Sequence, residues 1–504
     1  MQWNDWSESM QAAWHEFETV VIEAGQRILG HLPPTLKAEV TTLDAVETVT
    51  RKITQTLGHA LAQGWTQEIV QTADPPSPPS CPVCATTITM RKIGPRSLTK
   101  LGFFGAYTWS RAYYVCSQGH GGVAPMDAVL RIGPERYTPS LAEAVTAFAV
   151  NLSFDQIPPL VNTLIELPLD GDTIRRVVER VGQVAEIGEQ SAIAAIKADM
   201  VSTREESPPT LSAIQPSVEE GGDPPQALAP EAMIVSVDGA MAPFRVGHAY
   251  HEVKVGVCLP LGRGPATPSA SPIPVWQPLR EADYCLGLEA RPDFWPRVRA
   301  HALALGLDAP SCQTIILLGD GADWIWRYGA EYLGRPGLDI IEGVDIYHAR
   351  GHLWDYAKAY FANEADETAW AQPLHAQLAA EGPAPIIAAM TALEAQAPGA
   401  DPTAVAKEHG YFVRHAAQMD YPRYRALGLP IGSGIVEGAC RTLVKERLDG
   451  GGMWWTGAGA QTVGTLRALY RSGFDRWHQF WAEGPYATRR PELTPDARSE
   501  LQVA

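Results

Sequence analysis

Ile234-Val235-Ser236-Val237-Asp238-Gly239 is a short β-branched run that ends on a carboxylate and a glycine, and Thr314-Ile315-Ile316-Leu317-Leu318-Gly319-Asp320-Gly321 has the same form farther along. Apolar runs this short, closed by glycine, predict buried strands. His251 to Leu259, with Val253, Val255 and Val257 in alternation, predicts another strand between them. Helix-like stretches lie between and after these runs. Residues 231–480 therefore read as an α/β domain, interrupted by an Ala-rich helical block over about 354–418 that carries no strand signal. Strand ends in open α/β sheets are where functional groups converge, which makes Asp238 and Asp320 the first candidates.

A third carboxylate, Glu437, lies in Gly432-Ser433-Gly434-Ile435-Val436-Glu437-Gly438-Ala439-Cys440-Arg441, where a glycine-rich turn enters a helix. Carboxylates brought together repel, so the arrangement is stable chiefly when divalent cations neutralise it. Two such ions, about 4 Å apart, activate a nucleophilic oxygen and stabilise the leaving oxygen in phosphoryl transfer. Each Asp alone also reads as an Asx turn or a helix cap.

Working outward, residues 1–74 have helical periodicity and stop at Pro75-Pro76-Ser77-Pro78-Pro79, which cannot continue a helix. Residues 81–127 become short, aromatic and β-rich. Within them Cys81-Pro82-Val83-Cys84 and Cys116-Ser117-Gln118-Gly119-His120 supply the ligand types and count of one closed structural Zn²⁺ site, in a zinc-ribbon-like module. Between the knuckles stand Arg91, Lys92, Arg96, Lys100 and Arg111 with no acid, interleaved with Phe103, Phe104, Tyr107 and Trp109. That pattern fits DNA backbone and base contacts, or a solvated basic face over a small core.

Residues 139–202 return to helix. Asp170 precedes a helix bearing Arg175, Arg176 and Arg180, which reads as the second helix of a helix-turn-helix-like DNA-binding module or as a plain helical hairpin. Residues 203–230 hold six prolines and five acids against one base, the composition of a disordered linker. A C-terminal tail follows the α/β domain over 481–504.

The chain is 504 residues long, which suggests about three domains. Its 45% hydrophobic and 19% charged residues are near globular averages and exclude wholesale disorder. The net charge of -17 argues against nonspecific polyanion binding by the whole surface. Stretch 405–480 departs from that balance, with ten Lys plus Arg against six acids and with Arg441, Lys445 and Arg447 just after Glu437. Seven Cys, only three of them clustered, make a disulfide framework a poor reading. No apolar run of about 18 residues and no signal-peptide pattern occurs, which predicts a cytoplasmic protein with no membrane association.

Several of these pieces, in order, resemble a family. Val235-Ser236-Val237-Asp238-Gly239, Gly319-Asp320-Gly321-Ala322-Asp323-Trp324-Ile325-Trp326, Asp345-Ile346-Tyr347-His348-Ala349, Gly432 to Glu437, Arg447-Leu448 and Gly452-Met453-Trp454 are similar to the Mutator-like DDE transposases of bacterial insertion sequences, most closely the ISKra-type. The resemblance implies a multidomain protein: α-helical and zinc-ribbon N-terminal modules, then an α/β ribonuclease-H-like catalytic domain with an all-α insertion. It implies Asp238, Asp320 and Glu437 as catalytic ligands of two Mg²⁺ (or Mn²⁺). The substrates would be double-stranded DNA, both terminal inverted repeats and target, handled by a homodimer or higher assembly. Asp345 and His348 match an acid-x-x-His signature with a positioning or DNA-contact role. His352, four residues on, leaves a His-x3-His metal pair open as well. Trp324 reads either as a base-stacking residue or as core. A structure-specific nuclease and a noncatalytic DNA-binding regulator are the alternative functions.

Overall fold

The computed structural model describes residues 7–72, 78–81, 83–84, 89–133, 135–164, 166–205, 229–264 and 275–484. The linker expected over 203–230 lies outside these except for 203–205 and 229–230, and of the tail expected over 481–504 only 481–484 is described. The described residues fall into two compact units, one within 1–130 plus 136–138 and the other within 131–135 plus 139–489.

The first unit begins with helices α1 (Glu8–Gly30), α2 (Pro34–Glu39) and α3 (Leu43–Thr72). Ser7 caps α1 by accepting from the Met10 amide. Strands β1 (Arg91–Gly102) and β2 (Gly105–Val115) form an antiparallel hairpin closed at Gly102 and Gly105. Gly105 takes φ +116, a conformation that favours glycine. Strand β3 (Gly122–Val123) pairs only with Tyr114 and Val115, which leaves most of that β2 edge free. There Gln63 of α3 accepts from the Thr108 amide at 2.8 Å. Helix α4 (Pro125–Val129) carries Asp127 to Arg111, whose guanidinium donates to both carboxylate oxygens at 2.7 and 2.8 Å.

The second unit opens with helices α5 (Pro139–Ala149), α6 (Ile157–Leu164) and α7 (Gly171–Glu205). Asp170 caps α7 as expected, accepting from the Thr173 amide at 2.7 Å. A six-stranded mixed sheet follows: β4 (Ala232–Phe244), β5 (Ala249–Arg263), β6 (Trp276–Pro278), β7 (Asp283–Gly287), β8 (Thr314–Gly319) and β9 (Asp339–Val344). Strand order is β6-β5-β4-β8-β9, with β7 also on β5. β4 and β5 run antiparallel, whereas β4, β8 and β9 run parallel. Helices α8 (Arg291–Ala304) and α9 (Asp323–Leu333) connect the parallel strands. The core of Val235, Ile316, Leu317, Phe294 and Trp295 is fully buried, which explains why these strands read as continuous apolar runs.

After β9 come α10 (Ile346–Tyr360), α11 (Glu364–Glu381), α12 (Ala384–Glu394), α13 (Pro402–Arg414) and α14 (Tyr421–Ala426). The helical block expected over 354–418 thus spans 346–426. Its start is misplaced in sequence because Asp345 ends the strand and caps α10 at once, while the Ala-rich composition begins only inside that helix. Helix α15 (Gly434–Ala439), a π-helical turn over Cys440–Lys445, α16 (Glu446–Leu448), α17 (Gly457–Arg471) and α18 (Phe474–Glu483) complete the unit.

Residues 139–202 are not a separate module. Ile174, Val177, Val178 and Val181 of α7 are buried, and an amphipathic helix needs a partner for such a face. That partner includes α17: a Cβ on Gly182 would run into the side chain of Thr462, and α17 packs its other side on β7, where a Cβ on Gly464 would meet Leu286. A buried charge network joins the same elements. Arg297 of α8, 1% exposed, pairs with Glu186 and Glu189 of α7 and with Glu289. His301 lies 2.9 Å from Glu189 and 3.3 Å from Asp283, which also pairs with Arg476.

Burial opposes a charged His301, but Asp283 and Glu189 outweigh it and push its pKa up to about 9. Because this exceeds the unfolded value, the pair's contribution is complete below the unfolded histidine range and is lost as pH rises through about 9. The unfolding free energy from urea titration should therefore fall by about 2 kcal/mol between neutral pH and about 9.5, and His301→Gln should flatten that slope. An unchanged slope in the variant would show that another group carries the dependence.

Candidate functional site

Strand register brings the predicted carboxylates together. Ser236 of β4 stands opposite Leu318 of β8, and Gly319 of β8 opposite Val344 of β9, so Asp320 and Asp345 follow the carboxyl ends of β8 and β9, while Asp238 lies mid-strand in β4, two residues past its last parallel pair with β8 and still paired with Val255 of β5. With Glu437 from α15 they line one cleft of about 470 Å³, together with Tyr347, His348, His352 and Asp355. No Lys or Arg is among the lining residues. Trp324 is not among them either.

Each carboxylate is held differently. Asp238 Oδ1 accepts from the Gly239 amide at 2.7 Å, and the Cys440 thiol lies 3.7 Å from Oδ2. Burial pushes the Asp238 carboxyl above its usual range, the Gly239 amide works against this, and the like charge of Asp320 adds to it. Burial also raises the Cys440 thiol, with Asp238 reinforcing the effect. Asp320 Oδ1 accepts from the Ala322 amide at 2.9 Å in an Asx turn whose next residue, Gly321, has φ +100. Tyr411 of α13 donates to the Asp320 carbonyl at 2.9 Å.

Asp345 is 4% exposed and spends both oxygens on amides. Oδ1 accepts from His348 N at 2.7 Å, and Oδ2 accepts from Ser433 N in the loop that leads to Glu437. Its geometry is that of a positioning residue, tying the β9–α10 corner to the third carboxylate. Glu437 itself is exposed, one turn before the π-helical turn that begins at Cys440. Among the described residues no three ligand groups of this cleft converge within 4.8 Å; only the cysteine cluster does so.

That cluster is Cys81, Cys84, Cys116 and His120. Cys84 Sγ stands 3.0 Å from His120 Nδ1 and 3.6 Å from Cys116 Sγ, and His120 Nδ1 is 3.8 Å from Cys81 Sγ. The Cys84 amide is the main influence pulling the Cys81 thiol down to about 6, while burial and then the neighbouring sulfurs push Cys84 up to about 12. Three sulfurs and an imidazole this close can hold a zinc ion, with His120 placed to be the fourth ligand.

Several expected DNA contacts are corrected. Trp324 packs against the core beside Trp295, ring centres 6.2 Å apart. Lys100 and Arg111 are buried, the latter bound to Asp127. Arg180 is largely buried against Glu135. Arg447 is buried and donates to the Ala149 carbonyl at 2.8 Å. A side chain folded inward cannot reach a phosphate, so Lys100, Arg111, Arg180 and Arg447 leave the set, whereas Trp324 is half-buried and its packing favours the core reading.

Arg91, Lys92 and Arg441 are exposed. Arg96 is half-buried over the Tyr113 ring. Arg175 and Arg176 are paired with Asp172, and Lys445 donates to the Met241 carbonyl. Glu408, Tyr411 and Ser433 also belong to the site's surroundings, and no local pattern marks them. Among the described residues no helix is long and apolar enough to cross a membrane. No protein-family model and no curated protein matches the chain.

Proposed function

We propose that the chain is a DDE-type DNA transposase that binds the terminal inverted repeats of its insertion sequence and carries out metal-dependent strand cleavage and strand transfer. The carrying observation is the cleft: carboxylates from β4, from the residue after β8 and from α15 line one cavity with no Lys or Arg among the lining residues. Such a site fits divalent ions, since the burial and like charge that raise Asp238 are the conditions a bound cation relieves. The order β6-β5-β4-β8-β9, with two antiparallel pairs on one side, two parallel ones on the other and a helical insertion before Glu437, supports a ribonuclease-H-like reading.

Asp238, Asp320 and Glu437 would hold two Mg²⁺ or Mn²⁺ ions, which supply charge neutralisation at the phosphate and activation of the attacking oxygen. Asp345 keeps the Glu437 loop in place. Water and a 3′ hydroxyl can attack in turn, because each reaction is an in-line displacement at phosphorus. The cluster at Cys81 would hold a structural Zn²⁺ at the base of a hairpin that presents Arg91 and Lys92 to DNA. Two ends joined to one target call for a homodimer or larger assembly. Strand joining by the purified chain tests the assignment: joined product supports a transposase, and hydrolysis alone a nuclease.

A further inference from the structure

The helical insertion reaches the cleft through a chain of three side chains. Glu408 of α13 is 3% exposed and divides its oxygens: Oε1 lies 2.8 Å from Lys407 Nζ and Oε2 lies 2.5 Å from His352 Nδ1. His352 Nε2 stands 3.2 Å from His348 Nε2. The His352 ring stacks on Tyr411 at 3.7 Å, and Tyr411 in turn donates to the Asp320 carbonyl. Both histidines line the cleft.

The proton order follows from donor chemistry. Burial would raise Glu408, but Lys407 and His352 overcome it and hold the carboxyl below its usual range. An ionised carboxylate only accepts, so His352 carries its proton on Nδ1. In the neutral ring Nε2 is then an acceptor, and His348 must donate to it from its own Nε2. The nitrogen left for the cleft is His348 Nδ1, with a lone pair.

We propose that Glu408 and His352 are positioning residues that hold His348 in the tautomer whose Nδ1 takes the proton of the attacking hydroxyl. This rests on the phosphoryl-transfer reading. The O–H bond of water or of the 3′ hydroxyl breaks as N–H forms on His348, and the oxygen's electron pair forms the new P–O bond. The old P–O3′ bond breaks with its pair on the leaving oxygen, which takes a proton from water, and His348 later returns its own proton to solvent. Ionisable groups near this ring are Asp345, Tyr347, His352 and Asp355 at the start of or on its own helix, Asp238 from β4, Asp320 after β8, Glu437 from α15, and Tyr411 from α13, while His415, just past α13, faces His352.

The test is single-turnover end cleavage in Mg²⁺ by the full-length chain as pH crosses the histidine range, with ring-nitrogen NMR on the wild type. A base works deprotonated, so cleavage should rise with pH. Glu408→Gln should lose about 10–100-fold in rate with DNA affinity unchanged, and the single His352 tautomer should be lost because the amide no longer presents only acceptors to Nδ1. Glu408→Asp should recover part of the rate. The spectra should show His352 protonated at Nδ1 and His348 at Nε2. A wild-type rate in Glu408→Gln, or the opposite His352 tautomer, would overturn the relay alone. A wild-type chain that cuts no DNA but shows these tautomers would overturn the phosphoryl-transfer reading and, with it, the proton transfer.

Discussion

Asp238→Asn, Asp320→Asn and Glu437→Gln should each slow end cleavage and strand joining by on the order of 10³-fold or more, while DNA binding survives. Each change keeps the side chain's size and removes one negative charge from a cleft that, on the proposed reading, would hold two divalent ions. The loss falls on the transition state, where charge builds on the attacking and leaving oxygens. Asp345→Asn gives the contrast. Both Asp345 oxygens accept from amides, those of His348 and Ser433, and the asparagine NH₂ cannot accept from the second. The Glu437 loop should loosen without the site losing an ion ligand, a loss of about 10–100-fold. Gel assays in Mg²⁺ measure both, and ordinary activity in Glu437→Gln would mean that another carboxylate completes the site.

The second large effect concerns the cysteine cluster. Purified protein should carry about one zinc per chain, and Cys84→Ser should lose it together with terminal-repeat binding, because metal binding at a structural site is folding free energy. The local core has little else to hold it: Cys81, Met90, Tyr114, Cys116 and Val123 form a small cluster of their own. Elemental analysis and limited proteolysis between 78 and 123 read the result. Full metal content in the variant would remove Cys84 from the ligand set.

What could be read from sequence divides along physical lines. Asp320 is legible because a fully buried strand must be continuously apolar, so the first carboxylate after it marks the strand's end; Asp238 breaks the apolar run in the same way, although β4 continues past it to Phe244 against β5. The cysteine–histidine cluster is legible because knuckle spacing is local. Charge counting fails where a partner is distant. Arg111 meets Asp127 across the turn after β2, and Arg180 meets Glu135 from before α5, so neither basic side chain faces solvent as a linear pattern suggests.

The independence expected of 139–202 fails for a similar reason. Helical periodicity shows that α7 has an apolar face but not that α17, far along the chain, covers it. Glu408 is silent because a buried carboxylate in an Ala-rich helix has no signature until its histidine is found on another helix.

Strand joining tests the central claim most directly. A labelled terminal-repeat duplex with a free 3′ hydroxyl is mixed with the full-length chain, Mg²⁺ and a circular target. The account predicts covalent linkage of the labelled strand to target DNA, abolished by Asp320→Asn although that protein still binds the end. A chain that binds the end and nicks DNA in Mg²⁺ yet never links the labelled strand to target would contradict it.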